Sequence, residues 1–361
     1  PHAFLYTICD MKNTLTFLSE DQVRELAKNG TPTYVVSNRL LKENAGNIQV
    51  AMKSLPYGSS LSFAMKANPH TDVLKLFAGM GIGVDASSYY EALAAISAGV
   101  DPKTISLTSQ ELPKKESDFR DLVEKGIHFN ATSLHQLKVF CTLFPGKKVG
   151  VRINPGIGSG YNMRLSTGGV TAGFGIWYEY IDEALSLAAQ HNVTIVRVHT
   201  HIGTGTDPME WRRALAVTLE LAEKFSDLEA VNIGGGFKAK YMEGDHDANM
   251  VDIMDILSSE LLSFEEKTSK KVKLEIEPGR LLVVHAGIII SKVIDITDTG
   301  KEGYSFIRVD TGMTEIIRTA MYGAQHPLVV VPHTEGARGE QEYVVVGHCC
   351  ESSDCLTTVK G

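Results

Sequence analysis

A chain of 361 residues with 43% hydrophobic and 22% charged residues can bury a full core and is too long for one small domain, so one large barrel with a smaller companion is expected. A net charge of -8 with no run of Lys or Arg excludes nucleic acid and anionic membrane as the main partner, because both need a basic footprint. No apolar stretch approaches the ~20 residues of a membrane helix, and the opening PHAFLYTICDMKN lacks the basic start and apolar run of a secretory signal. The expected location is therefore cytoplasmic, the expected partner a small molecule, and the chain before Pro1 missing or processed. Five cysteines, an odd number, are too few for a disulfide scaffold and are expected to be reduced.

Residues 1–30 are read as an N-terminal segment packing with a later β domain. From about residue 31 short β-branched runs alternate with longer amphipathic segments, the pattern of βα units around a parallel sheet. The strand runs are SLSFAMKAN, GIGVDASS, TISLTSQ, GIHFNATS, KVGVRINP, IVRVHTHIG, AVNIGGGF and VKLEIEPGR. Between them YYEALAAISAGV, ELPKKESDFRDLVEKG, SLHQLKVFCTLF, YIDEALSLAAQHN, MEWRRALAVTLELAEKF and MVDIMDILSSELLSFEEK carry apolar residues every three or four positions, as helices do. Eight strands close an α/β (β/α)₈ barrel over residues 31–285. Beyond it HAGIIISKVIDITDT, YSFIRVD, HPLVVVPH and EYVVVGH predict an all-β, sandwich-like domain over 286–361.

Lys66, Asp85, Asn154, His201, the glycines at 234–236 and Glu277 all fall at the ends of the predicted strands, the rim that carries the active site in such barrels. Lys66 ends an apolar strand, where desolvation would leave a nucleophilic amine suited to imine formation with an aldehyde cofactor. Standing alone, it would be read as a lysine snorkelling to solvent. Gly234, Gly235 and Gly236 follow the seventh strand and Gly279 the eighth; backbone N–H groups freed of Cβ bulk there form a phosphate cradle, to which Thr204 could add a hydroxyl. A triple glycine by itself is more often a turn. Glu277 inside the barrel needs a partner. Either a pyridinium nitrogen, which it would keep protonated as an electron sink, or a structural ion pair with Arg280 or Arg152 would serve. His199 and His201 share one face of their strand, and one imidazole could stack on a cofactor ring. His348, Cys349, Cys350 and Cys355 lack the paired C-x-x-C spacing of a zinc site, and no metal is expected.

In this order FAMKAN, GVDASS, HTHIG, GGG, EPGR and CESSD resemble the fold type III pyridoxal-phosphate decarboxylases, of the alanine racemase-like barrel type, and among them the diaminopimelate decarboxylases. The resemblance covers nearly the whole chain and implies a barrel followed by a β-sandwich-like domain, in a homodimer with active sites shared at the interface. It implies pyridoxal 5′-phosphate joined to Lys66, with Asp85 among the cofactor-binding residues. His201 then stacks on the ring, Glu277 pairs with the pyridine nitrogen, and Thr204, Gly234, Gly235, Gly236 and Gly279 hold phosphate. It further implies that Arg280, Arg318 and Tyr322 bind substrate carboxylates, with Arg280 also at the cofactor. Cys350 and Glu351 enter the neighbouring subunit's site, the cysteine catalytic and the glutamate meeting the distal amine. The implied reaction takes meso-2,6-diaminopimelate to L-lysine and CO₂, the last step of lysine biosynthesis.

Relatives acting on ornithine or arginine share Lys66, His201 and EPGR but carry CDG-type sequence in place of CESSD. Decarboxylation of another basic amino acid (ornithine, arginine or lysine) is thus the alternative on this scaffold. A racemase would need a tyrosine from the second domain, for which there is no clear match. A non-catalytic homologue acting as a binding protein would have lost Lys66, Cys350 or the glycines. The sequence departs from the family twice: Gly173 stands in AGFGI where many relatives have lysine, and the chain stops at TTVKG where relatives continue, so the β domain is expected to be truncated or partly missing.

Overall fold

A computed structural model describes residues 15–158, 168–201, 203–242, 244–332 and 342–357. Its strands are β1 (Thr33–Val36), β2 (Ser59–Ala64), β3 (Gly83–Ala86), β4 (Ile105–Leu107), β5 (His128–Ala131), β6 (Lys148–Asn154) and β7 (Ile176–Trp177). They continue with β8 (Thr194–His199), β9 (Ala230–Asn232), β10 (Lys273–Ile276), β11 (Gly287–Ile290), β12 (Val293–Asp298), β13 (Ser305–Val309) and β14 (Val344–Val346). Strands β2, β3, β4, β5, β6, β8, β9 and β10 form a ring of parallel pairs that closes where β10 meets β2. All eight expected barrel strands are present. The two-residue β7 pairs with β6 outside the ring and is too short to leave a sequence signal.

The chain divides into two compact units, one built from Asn38–Ala239 with His246–Val284, the other from the described parts of Pro1–Ser37, Lys240–Asp245 and His285–Gly361. In the first, alternate strand residues such as Phe63, Val84, Leu107, Phe129, Val151 and Val231 are buried against the helices. Phe63 meets Phe77 edge-on, and Phe129 stacks with Phe140 beside Phe119 and Phe144. The helices start where the sequence supplies caps: Ser88 and Ser133 accept from the backbone N–H three residues on, and Asp207 precedes Pro208 in the first turn of the helix Pro208–Ala222. The expected helix in ELPKKESDFRDLVEKG begins only at Glu116.

The other strand face, toward the barrel axis, is polar. Asn130 donates to Ser106 Oγ and Thr108 Oγ1, both at 2.9 Å, and Arg197 of β8 reaches over Ala230 of β9 to Glu275 of β10. Parallel strands covered on both faces usually read as unbroken apolar runs, and here polar residues interrupt every one, which matches a barrel whose interior serves chemistry.

In the second unit β1 pairs antiparallel with β11, so Thr33–Val36, expected in the barrel, lies outside it. Strands β12, β13 and β14 form a separate sheet, antiparallel then parallel. HPLVVVPH is corrected: residues 326–332 form no strand, because Pro327 and Pro332 bracket the valines and remove ladder donors; His333, residues 1–14 and 358–361 lie outside the described residues. Among the described residues no helix is long and apolar enough to cross a membrane.

Candidate active site

Strands β2 and β10 are ring neighbours, and their C-terminal ends place the two central residues at one end of the barrel. Lys66 lies in the 3-10 turn Met65–Ala67 that follows β2, and Glu277 follows β10 directly. The two ends are tied together: Ala64 N–H donates to the Pro278 carbonyl at 3.2 Å. A side chain on Gly279 would meet the Ala67 Cβ at 3.1 Å, so glycine lets the EPGR turn lie against the lysine turn. Met65 is buried but Lys66 is exposed, which corrects the expectation of a desolvated amine.

Glu277 is 5% exposed and accepts from Asn232 Nδ2 at 2.7 Å, while His199 Nε2 lies 3.1 Å from its second oxygen. Burial alone would raise its pKa, but His199 and Asn232 together bring it down to about 2. The expected partners Arg152 and Arg280 do not hydrogen-bond it. Buried Arg152 instead lies near it only as a charge and places its guanidinium 5.1 Å from the Phe174 ring. That aromatic contact stands beside Gly173. Asp85, buried at the end of β3, takes the opposite course. Burial and then Glu277 push its carboxyl well above the usual range, against Lys66 and Arg152, and its Oδ1 has no hydrogen-bond partner.

His201 follows β8 one step beyond His199, on the same face as expected, with buried Val198 and Thr200 on the other. Burial, with the charges of Arg152 and Lys66, holds it well below the usual histidine range and therefore neutral. Two of the glycines are dictated by closeness. Gly234, at φ +70°, would drive a Cβ to 2.8 Å from His201 Nδ1, and Gly236, at φ +91°, to 1.7 Å from the Gly203 carbonyl oxygen. Gly236 accepts from Gly205 N–H at 3.1 Å, which brings Thr204 to the same place, and Arg280 Nη2 lies 3.3 Å from Thr204 Oγ1. Thus Lys66, Asp85, His201, Thr204, Gly234, Gly235, Gly236, Glu277, Gly279 and Arg280 gather at one end of the barrel. Asn154 is there too, but all its hydrogen-bonding capacity goes to Gly156, Gly169 and Ala172 of its own loop.

Arg318, Tyr322, Cys350 and Glu351 belong to the smaller unit. Arg318 and Tyr322 share one face of the helix Ile317–Tyr322, four residues apart. Cys350 and Glu351 are exposed in the loop after β14. That loop is held by Asp354, 3% exposed, which accepts from Met313 N–H at 2.6 Å and Cys349 N–H at 2.8 Å. Glycine is required at 312 and 347 because either Cβ would strike that carboxylate. Among the described residues no group of three or more His, Cys, Asp or Glu side chains converges as metal ligands; His348 lies against Thr314 and Glu315 instead. Sequence reading missed Asn232, whose only signal is an amide two residues before the glycine turn at 234–236, and Asp354, which lies within CESSD with no local signal of its role.

A barrel of this topology with an amine, an ionised buried carboxylate and a glycine cradle at one rim defines a pyridoxal enzyme, and the family comparison agrees. The family described as pyridoxal-dependent decarboxylase, pyridoxal binding domain, matches residues 43–284, and the chain belongs to it. Its relatives in turn have a particular name. Diaminopimelate decarboxylase of Escherichia coli (strain K12) is 30% identical over 370 residues, covering 100% of this chain and 84% of that one. The diaminopimelate decarboxylase of Streptomyces coelicolor is 32% identical over 345 residues, covering 93% and 75%. The crystal structure of diaminopimelate decarboxylase from Helicobacter pylori complexed with L-lysine matches with a TM-score of 0.82 at 26% identity, covering 93% of this chain and 84% of that one. The residues at the rim fit the cofactor. The unpartnered Asp85 Oδ1 offers a polar atom, the space at Gly236 admits only backbone, and Glu277 has lone pairs beyond the two that His199 and Asn232 use.

Proposed function

We propose that this enzyme decarboxylates meso-2,6-diaminopimelate to L-lysine and CO₂, the last step of lysine biosynthesis, with pyridoxal 5′-phosphate carried on Lys66. The observation that carries the reading is Glu277, held ionised by His199 and Asn232 beside the strand that leads into the Lys66 turn. Bound there, the cofactor supplies an electron sink for the pair released when the Cα–carboxylate bond breaks.

Lys66 would provide the amine that holds the cofactor. Glu277 would accept a hydrogen bond from the ring nitrogen and keep that nitrogen protonated. His201, neutral, would stand against the ring and add no competing charge. Asp85 lines the same mouth. Gly235, Gly236 and Gly279 would offer backbone N–H groups to the phosphate, with the Thr204 hydroxyl and Arg280 beside them, while Gly234, whose own N–H donates to Asn232 Oδ1 at 2.7 Å, would leave the room they need. Arg280, Arg318 and Tyr322 receive substrate carboxylates, which arginine does in a bidentate manner. In a cytoplasmic homodimer Cys350 and Glu351 of one copy complete the site of the other, Cys350 moving a proton at Cα and Glu351 meeting the distal amine. Exposed Val293, Ile294 and Ile296 on β12 support such an interface.

The substrate rests on the relatives' name and on CESSD with two arginines for two carboxylates. The test is CO₂ release by purified holoenzyme offered meso-2,6-diaminopimelate, ornithine, arginine or lysine. Release from diaminopimelate is expected; turnover of ornithine or arginine with diaminopimelate ignored overturns the substrate.

A further inference from the structure

Arg318 is gripped by two side chains that nothing in its own helix supplies. Its guanidinium carbon sits 3.8 Å from the centroid of the Tyr241 ring, and its Nη1 lies 3.4 Å from Nε2 of His326. His326 meets Tyr241 edge-on, with centroids 5.0 Å apart and planes at 89°. The three residues form a closed triangle, each touching the other two, and they come from three stretches of chain. Tyr241 lies five residues after the triple glycine, in the segment Lys240–Asp245 that leaves the barrel to join the smaller unit. His326 lies beyond Gly323, which ends the arginine's helix at φ +62°.

The chemistry of the contacts fixes their direction. A guanidinium carries donors only, so His326 Nε2 must accept, and the imidazole proton sits on Nδ1. Burial, and then the charge of Arg318, brings the His326 pKa down to about 4, so the acceptor persists at neutral pH. The negative face of the tyrosine ring attracts the cation from the perpendicular direction. Together the two contacts take the π face and one N–H of the fork, a geometry that leaves an edge of the guanidinium suited to a bidentate carboxylate.

We propose that Tyr241 and His326 are positioning residues for Arg318, fixing its guanidinium before the substrate carboxylate arrives; this rests on the reading of Arg318 as a substrate-binding arginine. The arginine then gives up its rotamer freedom on folding rather than on binding, so the clamp acts on substrate affinity rather than on bond breaking.

Steady-state kinetics of the holoenzyme on meso-2,6-diaminopimelate test this. H326A and Y241L should each raise KM about tenfold, as expected for loss of one hydrogen bond or one cation–π contact, with kcat within about threefold. H326Q, whose amide oxygen can accept from Nη1, should recover most of the loss. In an R318A background H326A should add nothing. Retained visible absorbance of the bound cofactor identifies folded variants, and should H326A not fold, Y241L makes the same comparison. Wild-type KM in H326A and Y241L, with KM raised in R318A, overturns the clamp. An unchanged KM in R318A overturns instead the reading of Arg318.

Discussion

Two buried carboxylates in one barrel mouth are shifted in opposite directions. Asp85 is pushed up by burial and by Glu277, while Glu277 is brought down to about 2 against its own burial by His199 and Asn232. Such separation is how a site assigns different tasks to like groups. E277Q should keep the bound cofactor but lose about a hundredfold or more in kcat, the scale of removing one preorganised electrostatic group; activity within about threefold of wild type would contradict the role. The pH dependence has a definite sign. A carboxyl depressed from 4.5 to about 2 on folding stabilises the native state above pH 4.5, and that contribution fades as pH falls from 4.5 toward 2. The stability gap between wild type and E277Q, measured by urea unfolding, should narrow over that window; a gap that is constant with pH would contradict the shift. The sequence showed that Glu277 needs a partner and offered a pyridinium nitrogen or an arginine, but not the protein groups that hold it. The protein partners reach it from the two preceding strands of the ring, Asn232 from β9 and His199 from β8, and that meeting depends on barrel register, which no local pattern encodes.

At the scale of elements, strands were legible because one face of each is apolar and must be covered by helices, which leaves a period that can be read. HPLVVVPH misled because valines supply propensity without a partner, and the prolines beside them remove the donors a ladder requires. Below the rim, Arg197 and Glu275 form a two-point pair at 2.6 and 3.1 Å with side chains only 12% and 10% exposed. Small residues on the adjacent strands, Gly150 and Ala230, make room for it. Removing Arg197 leaves the buried Glu275 carboxylate with only the longer 3.8 Å ion pair to Lys273, so R197A should lower unfolding free energy by about 3 kcal/mol, whereas replacing both with apolar residues of similar volume should cost far less. Urea denaturation of the single and double variants checks this, and equal losses in both would contradict the account.

At the scale of the molecule, the smaller unit is assembled from three stretches of chain, and two of them, the β1 region and Lys240–Asp245, interrupt what a linear reading assigns to the barrel. The barrel rim was legible as a set because its residues all follow strands. The Arg318 clamp was not, because Tyr241 and His326 meet only once both segments have folded into one unit. The whole account turns on Lys66 as the cofactor's point of attachment beside Glu277. Borohydride reduction of the holoenzyme, followed by digestion and mass spectrometry, should place the pyridoxyl group on the single peptide that contains Lys66, and K66A should carry none. A label on any other lysine, or K66A protein that decarboxylates at the wild-type rate, would contradict it.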